Sequence, residues 1–414
     1  MMGNAFTQKK ITSFFKENWK TPIGITTYRT NMIFHEGLIY IGSNGNDRDG
    51  RMDDKDGVFA IDAKSGKIVH QYVLPFGGDN DVTGIAIGDE KLFFGTDNYY
   101  FFCFDLKTHE ELWKYNLSFD VESKPVLADF NGDKKLDVFF SVQSVGFYAL
   151  DGTNGNLIWK NEEITSHEGN VAALAEDLNQ DGVKDLITAG RGEANSSETQ
   201  GFKMKHYGDY HLAIDGKSGK FLWAVETGGG VHSSPFMTKA DGKTMFYLMD
   251  SYGQLSVVDT KGNLVRRTDF GFDYFMSPIV TKDGFLVLGN ESTPIGNAFW
   301  IKENDTLPQY LSDKAMTKKI EVYSARISAT TMIADVLGKG FQQLIGVTEM
   351  GDLFIAKTDG TEVQQLKFNV GAEASLFIKD IDRDGKLEIL IASLDGFLYC
   401  YKTNSTGKVE IESF

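Results

Sequence analysis

Two cysteines are all that 414 residues contain, Cys103 and Cys400, and each lies in its own apolar run (FFCFD and LYCYK). A disulfide framework is excluded by that count, and buried free thiols are expected. Proline is scarce too, at seven, against forty-four glycines, which excludes proline-rich linkers and points to many tight turns. No segment approaches the ~20 apolar residues of a membrane-spanning helix, so no membrane insertion is expected. The opening MMGNAFTQKKITSFFKENW has no apolar stretch long enough for a signal peptide. As it stands the chain is expected to be cytoplasmic, or periplasmic or extracellular if a leader had been removed. Positive charge is also short: 42 Lys and Arg face 58 Asp and Glu, a net charge of −16. That balance argues against nucleic acid or an anionic membrane surface as partner and is compatible with cation binding. Helical periodicity is nearly missing, with a turn or two expected near Ser13–Asn18. The hydrolase signatures GxSxG and HExxH do not occur.

What the chain has instead is a recurring phrase. It reads GVFAIDAKSGKIVHQ from Gly57, YYFFCFDLKTHEELWKY from Tyr99, GFYALDGTNGNLIWK from Gly146 and YHLAIDGKSGKFLWA from Tyr210. Later copies are GQLSVVDTKGNLVRR from Gly253, GDLFIAKTDGTEVQQ from Gly351 and GFLYCYKTNSTGKVEI from Gly396. Each is an alternating apolar strand, a polar turn and a second strand, which is a hairpin by periodicity and turn chemistry. Another strand pair precedes each hairpin, as in KPVLADFNGDKKLDVFFSV and ASLFIKDIDRDGKLEILIAS. The unit is therefore four antiparallel strands. Tandem four-stranded units bury both faces of each sheet by packing radially, so the chain is expected to be all-β, one β-propeller spanning 1–414.

The first turn of the unit begins at Asp129, Asp177, Asp335 and Asp380, steps of 48 and 45 residues at either end of a gap of 158, three steps long, that holds two further turns at Ala240-Asp241-Gly242 and Lys282-Asp283-Gly284. With the turns at His35-Glu36-Gly37 and Gly88-Asp89-Glu90 the count is eight, or seven if one unit is incomplete. Residues 1–20 are a lead-in, and Asn18-Trp19-Lys20 resembles the blade-ending strands at Trp113 and Trp159. It is placed to pair with the last blade and close the ring.

The hairpin phrase, above all AIDGKSGKFLWAVETGGGVHSSP from Ala213, resembles the repeat of the pyrroloquinoline-quinone-type propellers, which carry ΦxALDxxTGxxxW in every blade. The resemblance covers nearly the whole chain and implies architecture more than activity. That family includes quinone-dependent dehydrogenases and an outer-membrane assembly scaffold that binds no quinone. Its alcohol dehydrogenases carry two adjacent cysteines near the cofactor, whereas Cys103 and Cys400 are far apart. Pyrroloquinoline quinone is accordingly not expected.

Three first turns place oxygen donors at positions 1, 3, 5 and 9, with a backbone carbonyl at position 7. They are Asp129, Asn131, Asp133, Lys135 and Asp137; Asp177, Asn179, Asp181, Val183 and Asp185; and Asp380, Asp382, Asp384, Lys386 and Glu388. They resemble the calcium loops of FG-GAP propellers, and structural calcium is the expected cofactor. The second and third carry Gly at position 6, where the first has Lys134. The equivalent turn at Asp335 has Lys339 and Gln343 in carboxylate positions and is expected to hold no ion. Asn44–Asp56, oxygen-rich but off-register, reads as a solvated loop.

The leading residues of the innermost strands surround one mouth of the channel: Arg29, Asp81, Glu122, His167, Glu168, His232, Tyr274, Arg326 and Glu373. Such a funnel is where propellers bind ligands. The expected function is a non-catalytic binding or scaffolding propeller, monomeric, presenting rim and funnel to a protein, peptide or glycan. The alternative is an enzyme using the funnel, quinone-dependent or lyase-type with His167 or His232.

Overall fold

The computed structural model describes residues 9–46, 53–73, 80–166, 174–193, 207–240, 242–269, 277–280, 285–289, 295–302, 318–323, 330–358, 364–368 and 370–411. Among them the strands pair into eight sheets. Seven draw four antiparallel strands from one continuous stretch, running from Met32 to Tyr72, Ile85 to Asn116, Val126 to Asn161, Leu174 to Glu226, Phe236 to Asp269, Ile279 to Tyr323 and Met332 to Lys367. The last has three strands of its own, Phe377–Lys379, Glu388–Ala392 and Phe397–Lys402, and is completed by Lys16–Pro22 from the other end of the chain. Both counts allowed by the repeat therefore have a counterpart: seven self-contained units, and an eighth sheet that exists only when the two ends meet.

Within each set of four the hydrogen-bonded order runs from an inner strand to an outer one; the fourth sheet adds Ile164–Ser166 beside Asp185–Gly192, and the seventh adds Lys9–Lys10, parallel to Gln364–Lys367, and Val409–Ile411 beside Met332–Ala334. Inner strands of neighbouring sheets lie side by side around a channel. The apolar core is divided among the sheet interfaces. Separate clusters fill the gaps between sheets one and two, two and three, three and four, four and five, seven and eight, and eight and one. The remaining two junctions are joined at the inner strands, where Ser234 N donates to Ser277 Oγ at 2.9 Å and Ser277 N to Thr330 Oγ1 at 3.2 Å. The ring is closed, which removes free sheet edges.

The helix expected near Ser13–Asn18 is a correction. A 3₁₀ turn covers Ile11–Ser13, and the chain is strand from Lys16. The reason is that Phe397–Lys402 offers an unpaired edge, and pairing Trp19 with Cys400 in register outweighs a weak helical preference. Among the described residues, no helix is long and apolar enough to cross a membrane.

The tryptophan of the repeat has one job, seen four times. Trp19 on the outer strand of the last sheet lies over Gly66 of the first sheet and donates Nε1 to Ala63 O at 3.0 Å. Trp113 does the same to Gly155 and Gly152 O at 3.3 Å, Trp159 to Gly219 and Gly216 O at 2.7 Å, and Trp223 to Gly262 and Thr260 O at 3.2 Å. A Cβ on any of these glycines would meet the indole at under 3 Å, so glycine is required by close approach as well as by its positive φ. Each of these four outer strands is thereby docked onto the third turn of the next sheet.

The tryptophan position is not always tryptophan: it is Arg266 in sheet five and Gln364 in sheet seven. Between sheets one and two, the tryptophan position is His70 and the glycine position is His109, held at φ 60°. Their rings stack at 4.0 Å with 10° between planes, and Tyr72 Oη meets His109 Nδ1 at 2.9 Å. Burial, then the neighbouring His109, holds the His70 imidazole below its ordinary value.

Two outcomes are expected. Trp159→Ala should cost about 3–5 kcal/mol, the usual loss for a large buried aromatic, whereas His70→Ala should cost much less. The folded state holds His70 deprotonated below the unfolded value of 6.5. Stability should therefore be flat above that pH and fall as pH drops below it, until the folded value is passed. A His70→Trp/His109→Gly double variant should lose that part of the slope, read by urea midpoints between pH 7.5 and 5.

Candidate functional site

The acidic turns share one geometry. Positions 4 and 6 have left-handed φ in all three: Gly132 and Lys134, Gln180 and Gly182, Arg383 and Gly385. Lys134 adopts the conformation that glycine takes in the other two. Position 1 accepts from the backbone, Asp129 from Gly132 N and Lys134 N at 2.7 and 2.9 Å, Asp177 from Gln180 N and Gly182 N at 2.8 and 3.2 Å. Positions 3 and 5 accept the next-but-one amide, as Asn131 does from Asp133 N and Asp133 from Lys135 N. The side chains at positions 1, 3 and 5 are thus oriented before any ion is considered.

Position 9 does something else. Asp137 is fully buried and takes the amides of Phe130 and Asn131 at 2.8 and 3.0 Å and that of Gly152 at 3.3 Å. Asp185 repeats this with Leu178, Asn179 and Gly216 at 2.7, 3.2 and 3.0 Å. Burial pushes both carboxyls up to about 6, while the amides pull the other way. These two residues tie the first turn to the third. At Asp335 the turn keeps the same shape, with Gly338 and Gly340 at φ 63° and 79°. There Gln343 holds position 9, taking Leu337 N at 3.0 Å and donating to Asp335 Oδ1 at 2.7 Å. Asp335 is further taken up by Lys339 N and Gly340 N, both at 2.8 Å.

The third turn is the most demanding. The carboxylates of Asp380, Asp382 and Asp384 bring oxygens within 4.8 Å of one another. Glu388 Oε2 accepts Ile381 N at 3.0 Å, but Glu388 Oε1 and Asp380 Oδ1 are buried with no hydrogen-bond partner. Burial pushes the Glu388 carboxyl up to about 7. Lys402 Nζ lies against Asp382 Oδ2 and donates to Asp384 Oδ2 at 2.9 Å. Lys402 escaped the sequence reading, although its signal was present. Five repeats end the third strand in Asp (Asp62, Asp105, Asp151, Asp215, Asp259), and the last two place Lys357 and Lys402 there.

At the channel mouth, Arg29 and Glu122 are paired, with side chains only 11% and 15% exposed. The guanidinium also lies 5.0 Å from the Tyr28 ring and donates to its hydroxyl at 3.0 Å. Asp81 is buried and accepts from Asn44 Nδ2 at 2.8 Å. Asn44 and Asp56 are both buried, so the two ends of that loop are not solvated as expected; the loop's ends are anchored beside Asp81. His232 and Glu373 are half-buried. His167, Glu168, Tyr274 and Arg326 lie outside the described residues. The funnel groups that are described are thus largely matched to one another.

Below the mouth runs a belt of short polar side chains, Ser234, Ser277, Thr330 and Ser375, each of the last three accepting the amide of its predecessor in the ring. Asn31 joins the next pair, exchanging bonds with Ile85 N and O at 2.9 and 3.1 Å. In sheet three the belt position is Lys124. Its ammonium was also overlooked, although ESKPV beside HSSPF and FMSPI marks a lysine in a serine slot.

The second-to-third turns project from the mouth side. Gly253, Gly351 and Gly396 occupy one slot there at φ 81–82°. In sheet two that slot is Tyr99, at φ 64°, 46% exposed and stacked on Phe119 at 6.1 Å. Cys103 and Cys400 are buried in third strands of different sheets, and burial pushes both thiols up, Cys103 to about 12.

No protein-family model matches this chain, and no curated protein matches it in sequence. Solved structures do. BamB from Moraxella catarrhalis aligns at 14% identity with a TM-score of 0.60, covering 94% of this chain and 99% of that one. The quinohemoprotein alcohol dehydrogenase from Comamonas testosteroni aligns at 12% identity and TM-score 0.67, over 95% of this chain and 77% of the other. A europium-containing methanol dehydrogenase aligns at 11% identity and TM-score 0.65, over 94% and 93%. At these identities the likeness establishes the fold, an all-β propeller of the kind found in quinone-dependent dehydrogenases and in BamB.

Proposed function

We propose that this chain is a non-catalytic binding propeller, stiffened by calcium in its acidic turns, that presents its mouth-side rim to a protein, peptide or glycan partner. The observation that carries the reading is Tyr99. A non-glycine side chain at left-handed φ costs roughly 1–2 kcal/mol, and three equivalent turns avoid that cost with glycine. An exposed aromatic kept in a costly conformation on a binding face is the signature of a contact residue. Phe119 beside it, and Tyr252 and Met350 on the corresponding turns of sheets five and seven, at 63% and 60% exposure, extend the same rim.

For calcium the support is donor chemistry. The three turns offer hard oxygens already oriented by their own amides, and in the third two buried carboxylate oxygens have no other partner. Asp380, Asp382, Asp384 and Glu388 would hold the ion there. Lys402 supplies one positive charge to the same carboxylates, so this site would bind more weakly than its donor count implies. An ion held only by the folded state stabilises it by RT ln(1 + [L]/Kd), about 2.7 kcal/mol at a hundredfold excess.

Calcium should raise the melting temperature and a chelator lower it, with magnesium substituting poorly. Asp181→Ala should blunt the response, while Asp335→Ala should leave it intact, since that carboxylate is already taken up by its own turn. A melting curve indifferent to calcium and chelator, with no metal in elemental analysis, would remove the ion from this reading. For the rim, Tyr99→Gly should not lower stability and should gain up to about 1 kcal/mol. A Tyr99→Gly/Phe119→Ala chain used as bait should lose partners that the unaltered chain enriches. Dye-linked alcohol oxidation on adding pyrroloquinoline quinone with calcium would overturn the non-catalytic reading.

A further inference from the structure

The first turns of sheets one and two are two-residue hairpins. Glu36-Gly37 joins Met32–His35 to Leu38–Asn44, and Asp89-Glu90 joins Ile85–Gly88 to Lys91–Gly95. Neither carries the spaced oxygen donors of the acidic turns, but the two meet across the junction between their sheets. One ring nitrogen of His35 and one carboxylate oxygen each from Glu36 and Glu90 lie within 4.8 Å of one another. The donor set is mixed, an imidazole and two carboxylates, and it is drawn from both sheets.

His35 Nε2 is the informative atom. It is buried and has no hydrogen-bond partner, although the side chain as a whole is 29% exposed. It stands 3.9 Å from Glu90 Oε1, beyond hydrogen-bond reach. A buried ring nitrogen without a partner is unfavourable, and the groups nearest to it are carboxylates, which donate nothing when ionised. Tyr40, buried in Leu38–Asn44, feels the same negative charge: burial, then Glu36 and Glu90, pushes its phenol up to about 12. Among the described residues the cation paired with this cluster is Lys107, 3.8 Å from Glu90 Oε2, with a side chain 73% exposed. A pair so open and so long neutralises little. A divalent cation would satisfy all three groups at once, taking the nitrogen lone pair and balancing both carboxylates.

The imidazole decides which cation. Calcium and magnesium take oxygen donors, whereas imidazole beside carboxylate suits zinc and its first-row neighbours. Donors about 2.0–2.2 Å from a tetrahedral ion stand about 3.3–3.6 Å apart, and adjustment of the two glutamate side chains closes the difference from the spacing seen here. Glu36 is exposed, so the fourth position opens to water.

We propose that His35, Glu36 and Glu90 bind one zinc-class divalent ion that clamps the first turn of sheet one to the first turn of sheet two. This is the junction where a docking indole is replaced by His70 stacked on His109. Glu90 O accepts Leu106 N at 3.0 Å, which ties the clamp to the turn that carries His109. The site shares no residue with the acidic turns or the rim, and it goes beyond the reading given above.

The test is calorimetric titration of the full chain with zinc chloride in excess calcium, which keeps the oxygen-only turns out of the measurement. A saturable zinc site that calcium does not displace is expected. His35→Ala and Glu90→Gln should each weaken it at least tenfold, while His70→Ala should leave it unchanged. A second measurement uses the unaltered chain and so does not depend on whether a variant folds. Copper(II) with ascorbate, which oxidises histidines at the bound metal, should mark His35 ahead of His70, and excess zinc should suppress that mark, read by peptide mass mapping. Absence of calcium-resistant zinc binding, a site that survives His35→Ala, or oxidation confined to other histidines would each overturn the assignment. None of these outcomes bears on the calcium response of the acidic turns, which is read separately by melting.

Discussion

The rest of the molecule depends on how each sheet is held to the next. A four-stranded sheet of this size cannot bury both faces alone, and among the described residues the apolar clusters lie between sheets rather than within one. The indole of one outer strand, seated on a glycine of the following sheet and bonded to a carbonyl beside it, converts that face-to-face contact into a fixed angle. Ring closure uses the same device: Trp19 arrives with Lys16–Pro22 from the far end of the chain and docks onto Gly66 as the internal tryptophans do onto their neighbours. The consequence is a body whose inner strands are fixed in position, so that the channel has walls and a volume.

With the ring fixed, its two faces separate by chemistry. The first turns carry the oriented carboxylates and the position-9 anchors, and they project to one side. The second-to-third turns carry Tyr99, Tyr252 and Met350 and project to the other. The anchor, whether Asp137, Asp185 or Gln343, shapes the turn, and the side chains at positions 1, 3 and 5 decide what the turn can hold. That division explains why the turn at Asp335 keeps its form after losing its donors. The shape of the turn and its donor set are separable there.

The architecture was legible because it is repeated. A phrase met seven times shows its strands, its turns and its landmark Asp even where single copies are blurred, and the Trp19 resemblance pointed to closure before any coordinate did. What could not be read was pairing across the ring. Arg29 with Glu122, or Asp81 with Asn44, joins residues 93 and 37 apart, and no local pattern records who faces whom. The helix expected near Ser13–Asn18 failed for the same reason, since its residues are captured by a strand nearly 400 positions away. Lys124, Lys402, His109 and Tyr99 were visible as departures from the repeat, a lysine for serine or aspartate and a ring for glycine. They were passed over because the reading sought what the copies share.

Departures of this kind are where a repeat protein becomes individual. Every shared position serves the ring, and a change there that weakens docking or turn formation without return would be lost to instability. Tyr99 keeps a backbone conformation that glycine would hold more cheaply, and Lys124 keeps a charge at a belt position that is serine or threonine in four other sheets. Neither improves packing, and neither completes a bond the other sheets make. One faces outward on the rim and the other inward on the channel, and both sit on the same side of the molecule as the Arg29–Glu122 pair. Local costs that cluster around one opening set that mouth apart from the repeating remainder of the scaffold.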